Sequence, residues 1–144
     1  MGSLYPIRGN LQATLSKGGT ISFENDSKRS IPPGQYEIAN AVVFVTRNNR
    51  LHGYKYLTVW SPEDSFSAYD LASSFSDLEI NVKKSYTSFK LPSSSIEYLK
   101  LKSCKLTILL NTDHLEIWKP AELKEMKSSV LPGLREYGLE KIVY

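Results

Sequence analysis

The sequence predicts an α+β, mainly β fold in which two half-modules share one core, with short helices and a C-terminal helical segment. Three observations carry this expectation. Leu57-Thr58-Val59-Trp60-Ser61-Pro62 and Leu115-Glu116-Ile117-Trp118-Lys119-Pro120 repeat an apolar-polar-apolar-Trp-polar-Pro pattern 58 residues apart, and both tryptophans of the chain fall on it. A β-rich apolar run lies upstream of each copy, Ala41–Thr46 in the first and Lys105–Leu110 in the second. The length of 144 residues, with 41% hydrophobic residues, suits one compact domain made of residues 1–80 and 81–144.

In chain order, the segment Leu15–Phe23 is extended, with Ile21 and Phe23 two apart around a turn at Lys17-Gly18-Gly19-Thr20. That turn lacks the longer Gly-rich arrangement of a phosphate loop. Asn25–Ile38, which contains Pro32-Pro33-Gly34, reads as a loop. Ala41–Thr46 is a strand leading through Arg47-Asn48-Asn49-Arg50 to the first Trp strand, and the intervening Leu51–Tyr56 has no counterpart in the second half. Ser61 caps a helix that starts at Pro62 and crosses between the halves over Pro62–Leu78. In the second half Lys84–Pro92 matches Leu15–Phe23, and a Ser-capped helical turn or two follows Pro92. Lys105–Leu110 and the Trp118 strand form the second hairpin through Asn111-Thr112-Asp113. A helix over Ala121–Val130 and a short helix or tail over Leu134–Tyr144 complete the chain.

Charge is uneven along this pattern. Residues 1–80 carry 7 basic and 8 acidic side chains, whereas residues 81–144 carry 11 and 7. Six lysines between residues 81 and 105 face only Glu97, a field that attracts polyanions. The longest apolar runs are too short to cross a bilayer. The N-terminus does not read as a secretory signal, and a lone Cys104 forms no intrachain disulfide, so a cytoplasmic location is expected.

The order strand, short helix, hairpin, Trp-ending strand and Pro-led helix, present twice, resembles the MraZ family, with its AbrB-like half-modules. Asp113-His114-Leu115-Glu116-Ile117-Trp118 looks like the end of the second MraZ repeat, and Gly9-Asn10-Leu11-Gln12-Ala13-Thr14-Leu15 like the start of the first. The resemblance spans about residues 9–130. It implies a duplicated AbrB-like β-barrel core, assembly into a homo-oligomer, and transcription regulation through DNA. The family's Asp-x-x-x-Arg motif is missing in both halves, where Ser16 and Thr20, then Lys84 and Ser88, stand at its ends. Ser and Thr cannot replace the planar, bidentate arginine, so base-specific DNA binding by the family's mechanism does not carry over.

No catalytic, metal or cofactor site is expected. His52 and His114 fall in turns at non-equivalent positions, without the spacing of a metal site. Cys104, flanked by lysines, reads as a semi-buried structural thiol. Trp60 and Trp118 are expected in the core or at a subunit interface. The leading expectation is therefore a non-enzymatic DNA-binding regulator, nucleoid-associated if it binds DNA. Lys83, Lys84 and Lys90 would contact phosphates, joined by Lys17, Lys28 and Arg29 from the first half. The competing expectation is an interaction or assembly protein that kept the barrel, gave up DNA and binds a protein partner.

Overall fold

Period-two alternation decides which side chains turn inward, and the strands close on one another around them. The computed structural model describes residues 9–24, 31–47, 50–61, 76–83, 85–102, 104–110, 114–129 and 140–142. Its elements are β1 (Gly9–Leu15), β2 (Thr20–Glu24), β3 (Gly34–Arg47), β4 (Arg50–Trp60), β5 (Ser76–Lys83), β6 (Tyr86–Lys90), α1 (Ser93–Leu99), β7 (Cys104–Leu110), β8 (Leu115–Trp118), α2 (Pro120–Ser129) and β9 (Glu140–Ile142).

Eight strands form a closed antiparallel barrel in the order β1-β2-β6-β5-β3-β4-β8-β7, with β7 returning to β1. The ninth pairs with residues 41–43 of β3. Closure gives each of the eight strands a neighbour on both sides, so no strand of the barrel has a wholly open edge. Advancing each strand by four positions exchanges six of the eight pairings of the barrel in twos: β1–β2 with β5–β6, β3–β4 with β7–β8, β1–β7 with β5–β3. The pairings β2–β6 and β4–β8 map onto themselves. Ile21 opposite Phe89 lies in the first of these, and Thr58 opposite Glu116 in the second.

The interior is filled by alternate residues of all eight walls, among them Leu15, Ile21, Tyr36, Val59, Ile80, Phe89, Ile108 and Ile117. A second apolar cluster lies outside the β3-β4-β8-β7 wall. There Ala41, Val43, Tyr54, Tyr56, Leu109 and Trp118 pack with Leu123 and Met126, three residues apart on α2. The Tyr56 and Trp118 rings stack, with centroids 4.7 Å apart and planes 7° from parallel. Both tryptophans are fully buried. The opposite wall exposes the polar faces of β1, β2, β6 and β5, so the barrel has one dry and one wet outer side.

Several expectations are corrected. The loop expected over Asn25–Ile38 ends early, because β3 already begins at Gly34, where φ is +139°. Pro32 and Pro33 precede the ladder, and their missing N–H groups cost it nothing. His52 lies within β4, not in a turn. The helix expected over Pro62–Leu78 is a strand over its last three residues, since β5 starts at Ser76, and residues 62–75 lie outside the described residues. Glu140–Ile142, expected as helix or tail, add a strand to β3. Pro92, not a serine, occupies the cap position of α1, and its carbonyl accepts the N–H groups of Ser95 and Ile96.

The two Trp hairpins form, but their equivalence is shifted. Trp60 opposes Glu37 and Trp118 opposes Thr107, so the partner of Leu106–Leu110 is residues 36–40, not Ala41–Thr46. Residues 41–56 instead extend the first hairpin as an arm. Among the described strands, β3 pairs beyond Val43 only with β4, and β4 before Leu57 only with β3. Gly53, opposite Phe44 on this arm, lets the aromatic ring lie over it, since a Cβ there would sit 3.2 Å from Phe44 Cε1 and 3.1 Å from Val42 Cγ2.

Candidate nucleic-acid interface

One end of the barrel is capped by α1. Ile96 and Leu99 turn into the core, and Ile96 Cδ1 packs against the turn between β1 and β2. That turn requires glycine at position 19. Its φ is +85°, and a Cβ would approach Ile96 Cδ1 to 2.9 Å. Ser16 closes the turn, its hydroxyl accepting the Thr20 N–H at 3.2 Å. Ser16 thus holds the loop without supplying a charge.

On its other side α1 is tied to the arm. The Tyr98 hydroxyl donates to the Ala41 carbonyl at 2.7 Å, and Lys55 Nζ sits 5.0 Å from the Tyr98 ring centre. Desolvation pushes the Tyr98 phenol up to about 12, so it remains a donor throughout the neutral range. Lys119 Nζ donates to the Leu99 carbonyl at 3.1 Å and joins the start of α2 to the same cap.

Lysines from separate segments surround this cap. Lys17 lies in the β1–β2 turn, Lys90 at the end of β6 opposite Thr20, and Lys105 near the start of β7 opposite Thr14. Lys100 and Lys102 lie in the connection from α1 to β7, and Lys55 lies on the arm. All six are exposed. Glu97 is the acidic residue of α1, and neither Asp nor Glu occurs over residues 98–112 or 38–62.

The structure brings Lys17 and Lys90 together at this end and separates Lys83 from them. Lys83 is opposite Tyr86, at the end of β6 remote from Lys90. Lys28, Arg29 and Lys84 lie outside the described residues. Lys55, Lys100, Lys102 and Lys105 are not among the contacts expected from the sequence. The absence of acid between Glu97 and Asp113 was the available signal for the last three.

Lys100 is the one non-glycine residue with positive φ among the described residues, at φ 52° and ψ 51°. It occupies the left-handed position of a Schellman motif, with the Lys100 N–H donating to the Glu97 carbonyl and the Leu101 N–H to that of Ile96. Glycine is the usual residue there. Lys100→Gly is therefore expected to raise stability by roughly 0.5–1 kcal/mol. Denaturant unfolding checks it.

The dry wall carries buried acids held by the tryptophans. Trp118 Nε1 donates to Glu116 Oε1 at 2.8 Å, and His114 Nε2 is hydrogen-bonded to Glu116 Oε2 at 2.8 Å. Trp60 Nε1 donates to Glu37 Oε1 at 3.2 Å. Thr58 Oγ1, buried opposite Glu116, has no hydrogen-bond partner among the described residues. No set of three or more His, Cys, Asp or Glu side chains positioned for a metal occurs among the described residues. Cys104 is half-buried against the core.

Burial, the larger influence, raises the Glu37 carboxyl above its ordinary value of 4.5. The Trp60 hydrogen bond opposes this, and the nearby Asp77 adds to it. The folded state then holds a proton that the unfolded chain releases, so this group's contribution falls as pH rises from 4.5 through the folded value. Glu37→Gln, whose carbonyl still accepts from Trp60, is expected to flatten that part of the pH–stability curve and to stabilise the protein at pH 7. Urea unfolding across pH 4–8 checks it.

No protein-family model and no curated protein sequence matches this chain. No helix among the described residues is long and apolar enough to cross a membrane.

Proposed function

We propose that the protein is a non-enzymatic nucleic-acid-binding barrel that grips the DNA backbone with the lysine-bearing end around α1. The observation that carries this reading is the convergence of Lys17, Lys55, Lys90, Lys100, Lys102 and Lys105 on one cap from five separate parts of the chain. Folding such a set together costs electrostatic repulsion, which a polyanion relieves. Their anchors are short and rigid, because turn, helix and arm are fastened to one another by Gly19, Tyr98 and Lys119.

The self-mapping strand order supports descent from a duplicated half-module of the AbrB-like kind, and with it a regulator of transcription. In this reading the contact surface has moved. Lysines beside α1 take the part that arginines of the two turn motifs play in the resembled family. Amines on flexible stems contact phosphates as point charges, so affinity is expected to be salt-dependent.

Fluorescence anisotropy with a mixed-sequence duplex tests it. Binding at low salt is expected, with log affinity falling linearly against log salt at roughly 0.9 per phosphate contact. A folded sample that binds no duplex at 50 mM salt refutes the reading and leaves an interaction or assembly role.

A further inference from the structure

We infer that the β3–β4 arm is a groove-reading element, which enters the major groove of a DNA duplex held at the lysine-bearing end. This rests on the function proposed above and adds base contact to backbone contact. A two-stranded antiparallel ribbon has the cross-section that the major groove admits. The arm is such a ribbon, since from Phe44 to Arg47 and from Arg50 to Gly53 each strand pairs only with the other among the described strands. Four residues beyond the α2-covered Val43 and Tyr54, at about 3.3 Å each, reach roughly 13 Å. The major groove is about 8.5 Å deep, so the ribbon is long enough to reach base edges.

The arm also carries the matching chemistry. Arg47 and Arg50 are directly opposite each other at its end, and no acidic residue lies between Glu37 and Glu63. The Arg50 side chain is exposed, and guanidinium is the side-chain group best matched to O6 and N7 of guanine. On the other face of the ribbon, which also carries Gly53 and Lys55, Leu51 is 66% exposed, an apolar side chain suited to contact with a thymine methyl group.

Direction completes the inference. The arm leaves the barrel from the side at which Tyr98 of α1 holds the Ala41 carbonyl, and Lys55 on the arm stacks on the same tyrosine. The base of the ribbon and the lysines therefore adjoin at this end, with Arg50 on the face of the ribbon opposite to Lys55. Base reading, absent from the two turns, is supplied by a hairpin extension.

The test uses the full chain and two duplexes of one mixed sequence, with either guanine or 7-deazaguanine, which lacks the major-groove N7 acceptor. The protein is expected to bind the 7-deazaguanine duplex about tenfold more weakly, within the range of a bidentate arginine contact. Arg50→Ala and Arg50→Lys are expected to bind both duplexes alike, the second keeping the charge without the planar fork. Equal affinity of the unaltered protein for both duplexes, with binding still weakened by Lys90→Glu, overturns the groove-reading arm and leaves backbone binding intact. Failure of the unaltered protein to bind either duplex overturns both.

Discussion

Trp118→Ala is expected to lower stability by about 3–5 kcal/mol, the range for deleting a buried tryptophan side chain. The indole is fully buried, stacks on Tyr56 and donates to Glu116. Its removal empties the centre of the cluster beneath α2 and withdraws a donor from a buried carboxylate. In a thermal scan this corresponds to a midpoint lower by roughly 10–20 °C for a domain of this size. Trp118→Phe separates the two effects. It keeps most of the apolar area and the stack but not the N–H, so a loss nearly as large as that of Trp118→Ala would assign the cost to Glu116. A fall of under 1 kcal/mol for Trp118→Ala would show that α2 and the wall do not depend on this side chain.

The second large effect concerns binding. Lys90, Lys102 and Lys105 are exposed on three different stretches of the lysine-bearing end. Reversing all three to Glu is expected to leave the unfolding midpoint within a few degrees and to weaken duplex binding roughly a hundredfold. The log–log salt slope should become shallower by about 2.7, the share of three phosphate contacts. The matched control is Lys83→Glu, which carries the same charge change at the opposite end of β6. Equal losses for Lys83→Glu and the average single member of the triple would mean that net charge, not this surface, governs binding.

What could be read in the sequence and what could not divide on physical grounds. The Trp strands were legible because alternation and a terminal proline are local signals. The same alternation places Glu116 and Trp118, two residues apart, on one face, which makes their hydrogen bond a readable consequence. The start of β3 was hidden because Pro32-Pro33-Gly34 carries a strong loop signal, while the pairing of Gly34 with Ile80 is non-local. The hairpin equivalence was shifted because two apolar stretches, residues 36–40 and 41–46, compete in β3, and only the register against Trp60 decides between them. Lys83 and Lys90 are seven residues apart and were grouped for that reason. A turn and a whole strand separate them, so nearness in the chain becomes opposite ends in space.

The strand order also governs how this chain must be assembled as it is made. Residues 9–61 supply two hairpins, β1–β2 and β3–β4, that share no ladder with each other. Each waits for strands made later: β2 for β6, β3 for β5, β1 for β7, and β4 for β8. A ribosome-bound first half therefore exposes the faces of Ile21, Tyr36 and Val59 until the second half emerges, and the final seam closes only with Leu115–Ile117. Such late, long-range closure slows folding and lengthens the time during which unpaired edges can meet those of another nascent copy. Because the two halves present matching ladders, the second half of a neighbouring copy is the natural wrong partner, and exchange of halves between chains is the error this topology favours.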